Sequence, residues 1–317
     1  MLKRKTALSF AMATHSISPF QVFLMILLIV FWGSSFVVVK ELLGNGLTPI
    51  AVATFRFLVA GALFLVVLLV KKLVTPNYRL RVEKKDLLTL FILALIGVTF
   101  FFAIQYTGIQ LAGASIAAIL VCLLSPILIT VFSARLFGEH LRRKQAIGIG
   151  IAISGTLLVV LGDLLSLNES MTFVEGTLIL LSTPVMWAAY SLMGQKIMQK
   201  YDAFIVVAYI SLLGGLCLIP FSLAENSFTQ ILTLNTMQWL GILYLAATCS
   251  LLGYFIWFYV LKKAGSTAST FLFAEPLVTS IFAVMFVNEV LYPTVIAGAI
   301  LIFIGVFLVT TKSQKQQ

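Results

Sequence analysis

The sequence predicts an all-α integral membrane protein whose ten transmembrane helices form two inverted repeats of five. Three observations predict this class: the composition, the spacing of the apolar stretches, and a similarity between the two halves of the chain. The chain has 317 residues, of which 61% are hydrophobic and 10% charged, and its mean hydropathy is +1.11. A soluble domain has too little interior for so much apolar surface, so the composition excludes a water-soluble protein.

The apolar stretches define the predicted spans. A hydrocarbon core about 30 Å thick requires about 20 helical residues per crossing. The predicted spans are residues 21–40, 50–70, 87–107, 113–134, 144–162, 174–194, 203–223, 237–260, 266–287 and 292–311. We therefore expect a first repeat over 21–162 and a second over 163–311. Residues 1–20 and 312–317 are the expected cytosolic ends.

The basic residues predict the orientation in the cell membrane. Of the 21 Lys and Arg residues, all except Lys40 and Arg56 fall in loops or ends on one side of the ten spans. Short cytosolic loops are enriched in Lys and Arg, so both ends of the chain are expected in the cytosol. The net charge of +10 therefore reflects topology and contact with anionic lipid headgroups. It predicts no nucleic-acid partner.

The two halves share residues at a constant offset. A shift of 150 residues pairs Pro126 with Pro276, Glu139 with Glu289, Gly148 with Gly298, and Gly155 with Gly305, and a shift of 155 pairs Trp32 with Trp187. Because each half has an odd number of spans, the second copy must insert upside down. Inverted repeats of this kind are typical of secondary transporters, whose substrate sites lie near the midplane at the repeat interface.

Four segments in order carry a family resemblance: "FWGSSF" (31–36), "TFRFLVAG" (54–61), "SPILITVFSARLFGEHL" (125–141) and "EPLVTSIFAVMFVNEVL" (275–291). With their spacing, they resemble the EamA-domain family of the drug/metabolite transporter superfamily, as two tandem copies over about residues 21–311. The resemblance implies a ten-helix transporter of small metabolites or amino-acid-like solutes, often an exporter. A small-molecule solute and membrane lipids are the expected partners.

The sequence lacks the motifs of other classes of membrane protein. Cys122, Cys217 and Cys249 lie in apolar stretches without paired spacing, and His15 and His140 match no ligand motif, so no metal or cofactor is predicted. The sequence contains no phosphate-binding glycine loop, so transport driven directly by ATP is not indicated. An enzyme constellation and a repeated channel filter are also absent from the sequence, whereas a sensor or scaffold with the same fold remains an alternative.

Glu275 and Pro276 interrupt an apolar span. An ionised carboxylate near the bilayer midplane is costly, so Glu275 is a candidate for proton coupling and solute contact. The alternative is a neutral acid bonded to a neighbouring helix, since the equivalent position in the first half is Ser125. Pro276 removes a backbone donor and should free the carbonyl of Leu272 to line a cavity. Thr279 adds a hydroxyl one turn on, and further helix kinks are expected at Pro126 and Pro184.

Arg56 is a basic residue within a predicted span. The span should begin at Thr48–Pro49, with Thr48 as N-cap and Pro49 in the first turn. Arg56 then lies about 10 Å below the outer end, at 1.5 Å per residue. Its forked guanidinium suits a solute carboxylate. The alternatives are a structural ion pair and snorkelling to the outer headgroups.

Two aromatic stripes occupy matched positions in the repeats. Trp32 and Ser35 in the first half, and Trp187 and Tyr190 in the second, are candidates for the walls of one solute pathway. The alternative is aromatic packing between helices. A second group of residues is assigned to interfacial aromatic belts; it comprises Tyr254, Trp257, Tyr259, Gln105 and Tyr106.

Two repeated features are expected to be structural. Glu139 and Glu289 each precede a helix, and a carboxylate there can meet exposed amides and the positive end of the next helix dipole. Small residues seven apart share a helix face and allow close contact, either within the chain or at the seam of a homodimer. The glycines with this spacing are Gly148, Gly155, Gly298 and Gly305.

The predicted function is secondary transport by alternating access, through rocking of residues 21–162 against 163–311. Proton coupling through Glu275 is the mechanistic hypothesis. Facilitated diffusion without proton coupling and a non-transporting sensor or scaffold are the alternatives.

Overall fold

A computed structural model describes residues 18–78, 80–137, 143–162, 171–264 and 271–310. Helices account for nearly all of these residues, and no strand occurs among them. The helices are α1 Pro19–Gly44, α2 Pro49–Val74, α3 Lys84–Ala94, α4 Phe100–Ala112, α5 Ala114–Phe137, α6 Arg143–Gly162, α7 Met171–Leu180, α8 Ser182–Lys200, α9 Ala203–Ala224, α10 Thr236–Tyr244, α11 Gly253–Ala264, α12 Glu275–Val287 and α13 Pro293–Thr310.

Several of these helices continue into one another through short irregular turns. A π-helical turn, Leu95–Thr99, joins α3 to α4, and a second one, Leu245–Leu252, joins α10 to α11. A 3₁₀ turn, Leu272–Ala274, leads into α12. Residues 84–112 and 236–264 are therefore each one long helix with an inserted residue.

Eight helical stretches in the described residues are long and apolar enough to cross a membrane. They are Pro19–Gly44, Pro49–Val74, Lys84–Ala112, Ala114–Phe132, Met171–Lys200, Ala203–Ala224, Thr236–Val260 and Pro293–Thr310. Each coincides with a predicted span. The remaining predicted spans, 144–162 and 266–287, correspond to α6 and to the shorter apolar stretch Leu272–Val287. A membrane protein of many passes is therefore confirmed, and ten crossings remain a prediction.

The start of α2 confirms a local prediction. Thr48 is the N-cap, and its hydroxyl accepts a hydrogen bond of 3.1 Å from the backbone N–H of Ala51. Pro49 follows as the first helical residue, where its missing N–H would have no partner within the helix.

The π-helical turns recur at the repeat offset, since Leu95 and Leu245 begin them. In each turn a hydroxyl near the end donates to the carbonyl five residues earlier. Thr99 bonds to Ala94 at 3.4 Å, and Ser250 bonds to Leu245 at 3.1 Å. The two halves therefore share an irregular feature as well as regular helices.

Contacts between helices also recur in equivalent pairs. Helix α1 packs along α12, and its counterpart α8 packs along α5, the counterpart of α12. Helices α2 and α9 contact each other, as do α6 and α13. The halves are thus interleaved, and the residues between them form the centre of the bundle.

The repeated glycines bring α6 and α13 into close contact. A Cβ added to Gly148 would lie 2.7 Å from the carbonyl oxygen of Gly305, and one added to Gly155 would lie 2.7 Å from that of Gly298. Real Cβ atoms do not approach other atoms so closely, so only glycine fits. These glycines serve packing within the chain, and a homodimer would have to use another surface.

Glu289 caps a different helix from the one predicted. Its carboxylate accepts hydrogen bonds from the backbone N–H groups of Ala114 and Ser115, and from the Ser115 hydroxyl at 2.6 Å. It therefore meets the positive end of α5 in the other half, and the prediction that it serves the next helix, α13, is wrong. Gly113 permits this approach, since a Cβ there would lie 2.7 Å from Oε1 of Glu289. Its φ of 99° also favours glycine. Glu139 lies outside the described residues.

Candidate functional site

Arg56 lies in the centre of the bundle with 5% of its surface exposed. Its Nε donates to the hydroxyl oxygen of Ser250 at 3.1 Å, and Nη1 donates to the hydroxyl oxygen of Tyr106 at 2.6 Å. The guanidinium carbon also lies 4.8 Å from the centroid of the Phe102 ring and 5.2 Å from that of Phe57. The alternative in which the Arg56 side chain snorkels to the outer headgroups is therefore wrong, because these contacts hold it inside the bundle.

Arg56 has no acidic partner among the described residues, where the ion pairs all involve Lys85 or Lys200. A buried cation is normally paired with an anion, because removing a charge from water is costly. Here the guanidinium is held by two neutral hydroxyl oxygens and two aromatic rings. The alternative of a structural ion pair is therefore not supported, and the site retains an uncompensated positive charge.

Glu275 is the first residue of α12 and is buried, with 6% of its surface exposed. Its carboxyl group lies close to the Cys122 thiol on α5. The carbonyl of Leu272, predicted to be free, accepts a hydrogen bond from the backbone N–H of Glu275. That prediction is wrong because the 3₁₀ turn uses the carbonyl three residues back instead of four.

The "FWGSS" segment of α1 lies between Arg56 and Glu275. On one side, the indole N–H of Trp32 donates to the carbonyl oxygen of Cys249 at 2.9 Å, next to Ser250 in the π-helical turn. On the other side, the Thr279 hydroxyl donates to the carbonyl oxygen of Gly33 at 3.0 Å. A Cβ at Gly33 would lie 3.2 Å from the carbonyl oxygen of Glu275. This segment therefore contacts both the π-helical turn that contains Ser250 and the start of α12.

The two predicted aromatic stripes lie in separate clusters. The Trp32 ring centroid lies 5.9 Å from that of Tyr254 and 6.0 Å from that of Trp257. The Trp187 ring lies 5.5 Å from the rings of both Phe101 and Tyr190. Tyr254 and Trp257 thus contact a candidate pathway residue. A shared pathway wall remains a prediction.

Ser35 and Thr279 both donate their hydroxyl protons to backbone carbonyl oxygens. Ser35 donates to the carbonyl oxygen of Trp32 at 2.6 Å. Thr279 donates to Gly33 and also to the carbonyl oxygen of Glu275, at 3.1 Å. In this conformation both hydroxyls therefore stabilise α1 and α12.

The three prolines that were predicted to kink helices occupy two kinds of position. Pro126 lies inside α5. Pro184 is the third residue of α8, after the break at Leu181, and Pro276 is the second residue of α12. Two of the three predicted kinks thus lie where a helix starts anew, and the missing N–H costs least in a first turn.

Three residues that contact Arg56 or Glu275 were not predicted as site residues: Tyr106, Ser250 and Cys122. Tyr106, assigned to an interfacial belt, is 1% exposed and bonds to Arg56, so that assignment is wrong. Gln105 is also buried, at 5%. Ser250 and Cys122 had no distinguishing motif, because their partners lie far away in the sequence.

A cluster of charged residues joins the two halves at the predicted cytosolic end. Nζ of Lys200 lies 2.5 Å from Oδ2 of Asp86 and 2.8 Å from Oε1 of Glu83. The Tyr201 hydroxyl also donates to Oδ2 of Asp86, at 2.6 Å. Hydrogen bonds from Lys200 and Lys85 lower the pKa of the Glu83 carboxyl. We call Glu83, Asp86, Lys200 and Tyr201 the cytosolic cluster.

Two cavities in the described part of the chain lie away from Arg56 and Glu275. One, of about 330 Å³, is lined by Pro49, Ile104 and Glu225 among others. The other, of about 210 Å³, is bordered by Lys40 and Glu289. Their charged groups are already engaged. Glu225 accepts a hydrogen bond from the Ser227 hydroxyl, Lys40 donates to the carbonyl oxygens of Ile109 and Gln110, and Glu289 caps α5.

Apolar helices long enough to cross a bilayer define an integral membrane protein as the class, and Arg56, which has no acidic partner among the described residues, gives it a buried polar centre. The sequence profile of the EamA-like transporter family matches residues 19–161 and 174–311. The chain belongs to the EamA-like transporter family. It is therefore a multi-pass transporter and not an enzyme.

Individual relatives agree with this family. An "Uncharacterized transporter" of Archaeoglobus fulgidus is 32% identical over 294 residues, covering 92% of this chain and 98% of that protein. A "Probable amino-acid metabolite efflux pump" of Salmonella typhimurium is 28% identical over 297 residues, covering 90% and 93%. A chain of a solved crystal structure, 20% identical, superposes with a TM-score of 0.60 over 92% of this chain and 96% of that one, which supports the fold alone.

Proposed function

We propose that this chain is a secondary transporter that exports small amino-acid-like solutes from the cytosol by alternating access. The observation that carries the proposal is the buried Arg56 guanidinium, which has only neutral partners among the described residues. A solute carboxylate would supply the missing negative charge. The similarity to an amino-acid metabolite efflux pump supports both the solute class and the direction.

The second ionisable residue near the site, Glu275, suits proton coupling. Glu275 lies across the "FWGSS" segment from the Arg56 partners and is buried beside Cys122. When no solute is bound, a proton on Glu275 would avoid the cost of an ionised carboxylate in the membrane. Exchange of proton for solute is thus the proposed coupling.

Repeated features support alternating access of an inverted repeat. Both π-helical turns and the pairs of contacting helices recur at the repeat offset. Contacts join the two halves at both ends: the cytosolic cluster joins α8 to α3, and at the other end the Gln238 side chain donates to the carbonyl oxygen of Asn45 at 3.0 Å. These are the contacts that opening to either side would break.

Locking either end should stop transport. We expect a disulfide between cysteines placed at Asp86 and Lys200 to abolish flux, because the cytosolic side could no longer open. A disulfide between cysteines at Asn45 and Gln238 should do the same from outside. Flux is measured before and after reduction, and reduction should restore it. The four single-cysteine variants are the controls. Full flux with either disulfide formed would contradict the rocking of residues 21–162 against 163–311.

Solute flux tests the function itself. Purified protein in proteoliposomes should carry out saturable exchange of a labelled amino-acid-like solute, and a screen of such solutes would identify the substrate. Empty liposomes and liposomes containing the Arg56→Gln variant are the controls. A lack of exchange with every solute would favour the sensor or scaffold. Flux that responds to solute but ignores a pH gradient would identify facilitated diffusion.

A further inference from the structure

The Tyr106 hydroxyl is a second polar group of the Arg56 site with unused bonding capacity. We propose that Tyr106 determines specificity by donating its proton to the solute carboxylate beside Arg56. This inference rests on the proposed function and deepens it, because it names a second residue that recognises the carboxylate.

The bonding of Tyr106 leaves its proton unused. A tyrosine hydroxyl can accept hydrogen bonds and donate one. The Tyr106 oxygen accepts from Nη1 of Arg56, at 2.6 Å. No acceptor for its O–H is found among the described residues, although the side chain is only 1% exposed. Leaving a buried donor unpaired is costly, so this one is suited to a ligand.

The whole cluster has more donors than acceptors. A guanidinium carries five N–H donors, and Ser250 and Tyr106 accept from two of its nitrogens. Ser250 uses its own proton on the carbonyl of Leu245. The missing partner must therefore accept hydrogen bonds and carry negative charge. A carboxylate has both properties, whereas an amine or a neutral amide lacks the charge.

The two roles of Tyr106 can be separated, because Arg56 is held from both sides. Ser250 is held by its bond to Leu245 in the π-helical turn, so it should continue to accept from Nε of Arg56 when the Tyr106 hydroxyl is removed. The Phe102 ring lies 5.5 Å from the Tyr106 ring and 4.8 Å from the guanidinium carbon. Tyr106→Phe keeps the ring that contacts Phe102. The variant should therefore lose one donor to the solute while Arg56 stays in place.

The test compares a carboxylate solute with its neutral amide in Tyr106→Phe proteoliposomes. We expect the KM for the carboxylate solute to rise about tenfold or more, since hydrogen bonds to charged groups are the strong ones. The KM for any amide that is transported should change less than twofold. Tyr209→Phe is the matched control, because its hydroxyl bonds to the backbone of Leu80 at 3.2 Å, away from Arg56. That variant should transport both solutes like the unaltered protein.

Each outcome decides something different. If the unaltered protein transports no carboxylate solute, the proposed function fails. If it does and Tyr106→Phe leaves the KM unchanged, or raises it equally for both solutes, only the inference about Tyr106 is overturned. If Tyr106→Phe folds poorly, the unaltered protein gives a second measure. Equal KM values for the carboxylate solute and its amide would overturn the inference, and with it the carboxylate contact at Arg56, while transport itself would stand.

Discussion

Replacing Glu275 by Gln is expected to abolish proton-driven accumulation of solute while exchange between two solute pools survives. Glutamine keeps the size of the side chain and imitates the permanently protonated carboxyl. Helix α12 should still begin at this residue, because Pro276 and the 3₁₀ turn before it are unchanged. What the variant loses is the ability to release and rebind a proton as the site opens to each side.

Two assays on the same vesicles distinguish these effects. Accumulation of labelled solute under an imposed pH gradient should fall to the level reached without a gradient, and counterflow at equal pH should continue. Glu41→Gln is the matched control, since Glu41 is an exposed carboxylate on α1, and it should accumulate solute normally. Accumulation by Glu275→Gln at the level of the unaltered protein would rule out this residue as the coupling site.

Replacing Arg56 by Lys is expected to raise the KM for a carboxylate solute by about ten- to a hundredfold. Lysine keeps the charge but replaces a planar fork by a single ammonium group, which cannot present two parallel donors to a carboxylate. It also cannot reproduce both present contacts, in which separate nitrogens donate to Ser250 and Tyr106. A loss of this size corresponds to about 1.4–2.8 kcal/mol.

The KM from counterflow measures this effect. Arg81→Lys is the matched control, because Arg81 is exposed in the loop before α3, and its KM should not change. A normal KM for Arg56→Lys would show that the fork does not contact the solute. A lower maximal rate with an unchanged KM would indicate that Arg56 acts in the conformational change instead.

The sequence was sufficient for features set by neighbouring residues. The Thr48–Pro49 start of α2 was predictable because the N-cap bond to Ala51 is local. The helix positions followed from apolar length, since an unpaired backbone in hydrocarbon is costly. The offset that pairs Gly155 with Gly305 was also visible without a structure.

The partners of the site residues could not be predicted, because they are distant in the sequence. Arg56 bonds to Ser250 and Tyr106, which are 194 and 50 residues away. Periodicity indicates which face of a helix is apolar, but not which helix lies opposite. The same limit explains why the cap by Glu289 on α5 was missed. The use of the Leu272 carbonyl depended on the 3₁₀ turn, which no motif indicated.

The contact between α6 and α13 has a consequence for biosynthesis. Gly148 and Gly155 find their partners only in α13, which of the described helices is made last. At about 5–20 residues per second, the ribosome completes α13 roughly 7–30 s after α6. Throughout that interval the face of α6 that carries these glycines must contact lipid or proteins of the insertion machinery. A nascent chain stopped before α13 would keep this face in contact with lipid or with such proteins.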